Sequence, residues 1–550
     1  MHAGILSKAD ALRPLLERAG RASVARSHLG AYVPKVEASE ISLITDEMLG
    51  QMISWIFDTT SRVGDLFCQL ARWCTSDFEL VHRLAALVTN KHHMTALHQT
   101  ALMSQIILTK YRLPINSSIG FERDSAAMNG ACVRHLKVTF PAAEDMLCLP
   151  HTLCHLGEHF ELAELDEFMK VWIKLMTSSK QATGLWKVTI DESPENYSAI
   201  RWYALMEIIM QIARKFPLLL SFIQQLMASG ISPVLAPKLL ELYRENTLKL
   251  KMQFAACLDM RVVVSVTYEM EGDRLPHLLA FTRCQSLRGL GENLEDNLFN
   301  VDAVIRNSTA LGIGLKISKA WAGHGLCTAK IVAVDSAQST LYPGTERTVY
   351  TVKYDVDGEQ EDLEEEELRP LIVISDDSLK AEIVAGLKKG FDYFEARITG
   401  TCDAQYSLAH MYENLRLIQV FDPCFAAIHV TQQWVQNLSH VIPLHVHGLI
   451  PGMLSELQTY RSLAAPAPPF DRLNVRDYSE ALLQWWKVNN PTIPAWAKAA
   501  RIVFALSCTS AAAERVFSHV KAMYGTGHDS ILADELQGSV MLRYNKRAVG

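Results

Sequence analysis

The sequence lacks an uninterrupted apolar run long enough to cross a membrane, although 49% of its 550 residues are hydrophobic. A membrane-spanning helix needs about 18 consecutive apolar residues, so we expect no membrane partner. The N-terminus has no apolar stretch of the signal-peptide kind, because Lys8, Asp10 and Arg13 interrupt it. The length and the apolar content instead predict a packed chain of more than one domain.

Paired cysteines are also missing. The eleven cysteines are scattered, none forms a CxxC pair, and none lies in residues 1–48. This pattern is typical of reduced thiols in the cytosol or nucleus rather than of a disulfide framework. Without cysteine, residues 1–48 cannot form a Cys/His zinc finger, and we expect them to be a truncated N-terminal segment.

Acidic residues outnumber basic ones, so that the formal net charge is -7, and the sequence has no obvious basic run. Dedicated nucleic-acid-binding domains usually carry a basic patch. Any DNA contact would therefore need a basic face that folding assembles.

The order of apolar residues changes along the chain. Residues 49–155 alternate short apolar runs with helical stretches, as in an α/β core, and residues 155–260 have mainly helical spacing. From Gly312 the chain becomes rich in glycine and β-branched residues. With a hairpin turn at Asp357-Gly358, residues 310–374 are predicted to form a small β-barrel.

The C-terminal eighty residues carry the most specific pattern. The string WWKVNN begins at Trp485, TSAAAERVFS covers residues 509–518, and an apolar helix ends at Asn545. In this order and spacing, the segment closely resembles the C-terminal dimerisation region of hAT-superfamily DNA transposases. Shorter stretches at 57–64, 123–129, 148–153, 201–203 and 420–423 resemble other motifs of that superfamily, so that the resemblance covers about residues 50–260 and 415–548.

The resemblance implies an α/β fold with an RNase H-like transposase core, interrupted by a large helical insertion and a small inserted β-barrel. The expected domains are an N-terminal segment (1–48), the first part of the core (49–200), a helical insertion (201–309), the barrel (310–374), the continued insertion (375–465), and the C-terminal dimerisation region that completes the core (466–550).

The same resemblance implies a DDE triad of Asp58, Asp124 and Glu514 that binds Mg²⁺ or Mn²⁺. Such carboxylates gather two cations for phosphoryl transfer on DNA. The motif around Asp58 has Thr59 where the family has glycine. Glu514 also has a local argument, because a helix capped by Thr509 or Ser510 would place this carboxylate in the first turn, at the positive end of the helix dipole.

Four further residues fall on family motifs and are expected to have structural or DNA-contacting roles. Cys148 and His151 match a CxxH motif, and Arg201 and Trp202 match an RW element that has Ile200 where threonine is usual. The CxxH spacing is also half of a zinc-finger pattern, so a zinc ligand set is the alternative.

The inserted segment 312–371 resembles a Tudor-like or SH3-like barrel. Such barrels bind methylated lysine or arginine in an aromatic cage, which would make a methylated histone tail a partner. The alternative is that the same rings pack in the barrel core. The candidate cage residues are Trp321, Tyr350 and Tyr354, with Asp357 or Glu361 adding charge.

Apolar residues of the C-terminal region are expected to support self-association. Trp485, Trp486, Val516 and Phe517 recur at helical spacing, and aromatic side chains are enriched at subunit interfaces. Packing within the core of one chain is the alternative for these residues.

Two functions follow from these patterns. The first is a nuclear, transposase-derived protein that self-associates, binds DNA and, if its triad is intact, performs cut-and-paste chemistry. The second is a catalytically inactive, domesticated or truncated relative that dimerises and acts in chromatin or protein interactions.

Overall fold

A computed structural model describes most of the chain. The described residues are 33–60, 65–90, 93–195, 202–244, 248–249, 251–252, 255, 263–292, 294, 315–321, 325–338, 345–372, 377–404, 406–524 and 533–545.

The elements are named here in chain order. The first are α1 (Val33–Met48), β1 (Ile53–Thr60), β2 (Asp65–Cys74), β3 (Leu80–Asn90), α2 (Ala96–Gln105), β4 (Ser118–Arg123), α3 (Ala127–Thr139), β5 (Glu144–Leu147) and α4 (Leu149–Glu158). Next come α5 (Ala163–Ser178), α6 (Lys180–Ile190), α7 (Trp202–Arg214), α8 (Phe216–Ala228), α9 (Leu235–Tyr243), α10 (Val264–Met270), α11 (His277–Glu292), β6 (Lys316–Trp321), β7 (Gly325–Gln338), β8 (Glu346–Tyr354), β9 (Gln360–Glu364) and α12 (Glu365–Leu368).

All described secondary-structure elements of the C-terminal part are helices. Its helices are α13 (Asp377–Thr399), α14 (Ala409–Leu417), α15 (Pro423–His429), α16 (Gln432–Asn437), α17 (Ile442–Val446), α18 (Ile450–Ser455), α19 (Leu457–Ala464), α20 (Val475–Asn489), α21 (Pro494–Ala505), α22 (Ala511–Tyr524) and α23 (Ala533–Tyr544). A π-helix covers Ile106–Lys110, and 3₁₀ turns cover Ile115–Ser117, Arg369–Leu371, Ile418–Phe421 and Leu438–His440.

The first sheet has the strand order β3-β2-β1-β4-β5. β1 is antiparallel to β2 and parallel to β4, and β5 runs parallel to β4. The first five residues of β1 are all buried, which is typical of a central strand covered on both faces. The predicted mixed α/β class is confirmed, while the RNase H-like identity of this core stays a prediction.

The two ends of the chain build the core around this sheet together. α22 packs against β1 and β2, and α23 packs against β3 and α1. Trp55 and Phe57 of β1 share one buried cluster with Val516 of α22 and Val540 of α23. The C-terminal helices are therefore integral to the sheet that carries the candidate site.

The chain divides into two compact units. The first comprises Met1–Leu153, Val266–Gln285 and Phe394–Gly550, and the second comprises Cys154–Ser265 and Ser286–Tyr393. In the second unit, α5, α6 and α8 pack around Trp172, Trp186 and Phe222, whose rings are in mutual edge-to-face contact.

The second unit also holds a four-stranded antiparallel sheet in the order β6-β7-β8-β9. The predicted hairpin at Asp357-Gly358 is confirmed, since β8 and β9 pair across it and Gly358 has a φ of +75°. The sheet is curled, and a single bridge joins Ile317 to Ile372. The described residues form a curled half-barrel sheet, and the small β-barrel and its Tudor-like identity stay predictions.

Candidate functional site

The first two expected catalytic carboxylates lie at one edge of the five-stranded sheet. Asp58 is near the end of β1, and Asp124 immediately follows β4. These strands are parallel neighbours, and their ladder pairs Ile56 with Glu122. Asp58 and Asp124 each lie two residues beyond that pair, at the same end of the two strands.

Glu514 approaches this edge from the opposite end of the sequence. It lies in the first turn of α22, the helix that packs against β1. Thr509 Oγ1 accepts a hydrogen bond of 3.1 Å from the Ala511 amide, and thereby satisfies one of the free amides at the helix start, the role expected of Thr509 or Ser510. The carboxylate of Glu514 therefore sits at the positive end of the helix dipole.

The electrostatics of Asp58 show that the three carboxylates share one neighbourhood. Burial raises the pKa of Asp58 well above its ordinary value, and the negative charges of Asp124 and Glu514 raise it further. The Thr59 amide opposes this by donating a 2.7 Å hydrogen bond to Asp58 Oδ1. Like charges in a half-buried place are costly unless a proton or a cation neutralises them.

The donor chemistry of these residues suits a hard divalent cation. Carboxylate oxygens are ligands that Mg²⁺ and Mn²⁺ prefer. Besides burial, the negative charges of Asp124 and Glu514 raise the pKa of Asp58, and a cation would offset these charges. Within the described part of the chain, however, no group of three or more His, Cys, Asp or Glu side chains is arranged to hold a metal ion. The three carboxylates have the ligand type and the charge that a divalent cation needs, but they would have to move to coordinate it.

A chain of buried amides connects the two aspartates. Asp124 Oδ1 accepts hydrogen bonds from Asn129 Nδ2 at 2.6 Å and from the Ala126 amide at 2.9 Å. Asn129 in turn accepts from Gln99 Nε2 at 3.0 Å, and the same Gln99 nitrogen lies 3.5 Å from Thr59 Oγ1. Gln99 is fully buried. The threonine that replaces the family glycine therefore supplies the hydroxyl at the Asp58 end of this bridge.

Two arginines fasten the residues on either side of Asp124. Arg123 forms a bidentate ion pair with Asp145, with N–O distances of 2.8 and 3.0 Å. The buried Arg397, near the end of α13, donates from Nη2 to Ser125 Oγ over 3.1 Å. The turn that carries the second carboxylate is thus held from both sides.

Sequence reasoning missed Gln99 and Arg397. Both act on the site through contacts between segments that are far apart in sequence, and no local motif marks either residue. Asn129 ends the stretch RDSAAMN that drew attention to Asp124, so its place five residues after the aspartate was a usable signal.

Cys148 has a structural place beside the site. Its amide donates to the Arg123 carbonyl over 2.7 Å, and its Sγ accepts from the Ser510 amide over 3.3 Å. The buried Cys148 therefore joins the end of β4 to the start of α22. His151 follows on α4 and is half-buried. These contacts fit the structural interpretation, and the zinc alternative stays a prediction.

The RW element cannot be placed in full. Arg201 lies outside the described residues, and Trp202 begins α7 with its side chain outside the description.

The residues expected to support self-association divide into two groups. Trp486 and Val516 are fully buried within the chain, and Trp486 Nε1 donates to the Phe421 carbonyl over 2.9 Å. Trp485 and Phe517 are half-buried. The first two stabilise the fold of the single chain, and the second two retain surface that a partner could cover.

The expected aromatic cage is not formed by the tyrosines. Tyr350 and Tyr354 are only 8% and 5% exposed and belong to the core of the curled sheet. The Tyr354 hydroxyl donates to Glu361 over 2.6 Å. Asp357 lies in the turn and accepts from the Glu359 amide, and the side chain of Trp321 lies outside the described part of the strand. A cage needs exposed ring faces, so this expectation is corrected to core packing for both tyrosines.

A comparison with known protein families identifies the C-terminal part of the first unit. Residues 468–538 match the family model of the hAT family C-terminal dimerisation region. The match includes α20, α21 and α22, and hence Glu514. It supports an origin from an hAT transposase and self-association through this dimerisation region. A search of curated proteins found no significant match. No described helix is long and apolar enough to cross a membrane.

Proposed function

We propose that this chain is a transposase-derived, nuclear protein that self-associates through its C-terminal region and cleaves DNA with Asp58, Asp124 and Glu514. The observation that supports the proposal is the convergence of three segments. β1, which carries Asp58, pairs with β4, which Asp124 follows, and α22, which carries Glu514, packs against β1. In keeping with this, burial and the charges of Asp124 and Glu514 raise the pKa of Asp58, and a phosphoryl-transfer site needs carboxylates gathered in this way.

The topology of the sheet gives independent support. Strands β1, β3, β4 and β5 run in one direction and β2 in the other, in the order β3-β2-β1-β4-β5. A mixed sheet of this kind is compatible with the RNase H-like core that the resemblance implies. Asp58 on β1 and Asp124 after β4 lie at the same end of this sheet.

Mg²⁺ or Mn²⁺ would be held by Asp58, Asp124 and Glu514, and would supply charge stabilisation for the attacking and leaving oxygens of a DNA phosphodiester. The rest of the arrangement orients these ligands. Asn129 fixes one oxygen of Asp124 and leaves the other for a cation. Glu514 lies in the first turn of α22, and the positive end of a helix dipole is a favourable place for a carboxylate.

The test is a strand-cleavage assay on DNA that contains the genomic sequence flanking the coding region, with Mg²⁺ or Mn²⁺ present. We expect cleavage by the wild-type chain and none above background by Glu514→Gln. The matched control is Glu413→Gln, which removes a surface carboxylate paired with Arg416 and should cleave normally.

Equal cleavage by wild type and Glu514→Gln would contradict the role of Glu514. Absence of cleavage by wild type, with self-association retained, would favour the second function, that of an inactive relative acting through dimerisation and protein or chromatin contacts.

A further inference from the structure

An apolar groove lies on the surface of the region that matches the dimerisation family. It has a volume of about 550 Å³ and runs between α20 and the segment that precedes it. Pro468, Pro469 and Phe470 form one wall, and Trp485 and Val488 of α20 form the other. This Trp485 groove belongs entirely to the first compact unit.

Two adjacent tryptophans show why the groove is open. Consecutive residues of a helix point in directions about 100° apart, so Trp485 and Trp486 cannot face the same surroundings. Trp486 is fully buried, whereas Trp485 is half-buried and Val488, on the same side of α20, is 65% exposed. Adjoining exposed apolar side chains, unlike scattered ones, are candidates for a binding surface.

The walls of the groove are held in place within the single chain. The Cys424 thiol donates to the Pro468 carbonyl over 3.1 Å, and the rings of Phe470 and Tyr478 meet edge to face. Asn474 begins α20 by accepting hydrogen bonds from the amides of the first helical turn. A preformed surface loses little conformational entropy when it binds.

The position of the groove points to its occupant. All of its lining residues fall within residues 468–538, the segment that matches a dimerisation region. Most other large apolar side chains of that segment, such as Trp486, Trp496 and Val516, are fully buried in the chain's own core. Among the described residues of the segment, Trp485 and Val488 therefore provide apolar area that a partner can still cover.

We infer that the Trp485 groove is the centre of a symmetric contact between two copies of this chain. This inference rests on the self-association in the proposed function and specifies the surface that mediates it. A two-fold contact uses the same patch on both subunits. The groove of one chain would therefore pack against the same groove of the second chain, and no other complementary surface is needed. A stable interface covers about 800 Å² per partner, and the contact would extend from the groove onto the polar rim of α20.

The experiment measures the mass of the full-length chain by sedimentation equilibrium across a micromolar concentration series. Val488→Glu places a carboxylate at an exposed position, so the fold of the single chain should be retained. In a symmetric dimer the two introduced carboxylates would lie in the same interface and repel each other. We expect the dimer to dissociate at least about tenfold more readily. Val188→Glu is the matched control, because Val188 is 82% exposed on α6, outside the matched segment, and should leave the mass distribution unchanged.

The possible outcomes distinguish self-association itself from the role of the Trp485 groove in it. A wild-type chain that stays monomeric would contradict self-association itself. A wild-type dimer that Val488→Glu leaves intact, with unchanged circular dichroism, would overturn the groove as the interface and leave self-association standing. As a second measurement, Val488→Cys should give a crosslinked dimer with a short bis-maleimide, and Val188→Cys should not.

Discussion

Neutralising Asp124 should stabilise the metal-free protein. In Asp124→Asn the amide oxygen can still accept the hydrogen bonds from Asn129 and Ala126, while the negative charge next to Asp58 disappears. At a separation of about 6 Å, two ionised carboxylates repel by roughly 3 kcal/mol at an effective dielectric constant of about 20. The hydrogen bonds from Asn129 and Ala126 become weaker when their acceptor is neutral, which destabilises the fold by about 1 kcal/mol. The net free energy of unfolding should therefore rise by about 1–2 kcal/mol.

The sign of the pH dependence follows from the raised pKa of Asp58. The folded state holds the Asp58 proton more tightly than the unfolded state, so the contribution of Asp58 to stability is fully present below its ordinary pKa near 4. That contribution is lost as the pH rises through the raised pKa. The Asp124 variant should lose less over the same interval, because one cause of the raised pKa has been removed.

The assay is thermal or urea unfolding in EDTA at pH 8, repeated with Mn²⁺. Asp145→Asn is the control, since Asp145 neutralises the nearly buried Arg123 and its loss should destabilise by about 1–3 kcal/mol. Mn²⁺ should stabilise wild type and the control and should have little effect on Asp124→Asn. The reasoning is refuted if both variants lose stability equally in EDTA.

Three further outcomes are expected. Trp486→Ala should lower the free energy of unfolding by about 3–5 kcal/mol in urea titrations, because a fully buried indole is removed. Gln99→Leu should weaken Mn²⁺ binding about tenfold in an electron paramagnetic resonance titration, since Asn129 loses its donor; unchanged affinity would contradict a positioning role. Glu144 raises the pKa of His410 through a 2.5 Å hydrogen bond. That pair should stabilise the fold fully below pH 6.5 and lose its contribution as the pH rises through the raised value, a dependence that melting curves of His410→Gln should lack.

The sequence was sufficient where a residue string itself carries the chemistry. The string TSAAAERVFS pointed to the segment that the family model matches, while the catalytic role of Glu514 within it stays a prediction. Strand register then explains how Asp58 meets Asp124, which no spacing in the sequence could reveal.

Sequence reasoning failed where only the fold decides which way a side chain faces. Tyr350 and Tyr354 alternate along β8 in phase with the buried Val352, and a period of two is the same whether that face is the core or a binding surface. Likewise, the pair of tryptophans indicated an apolar helix but not which indole is covered. Gln99 and Arg397 reach the site through tertiary contacts alone.

The most direct test is a crystal structure of the chain grown with Mn²⁺, with anomalous diffraction measured to locate the metal. We predict an anomalous peak within coordination distance of Asp58 and Asp124 and close to Glu514. A well-ordered site edge with no peak there at saturating Mn²⁺, or a peak bound only by other residues, would contradict the proposal that these three carboxylates form one cation site.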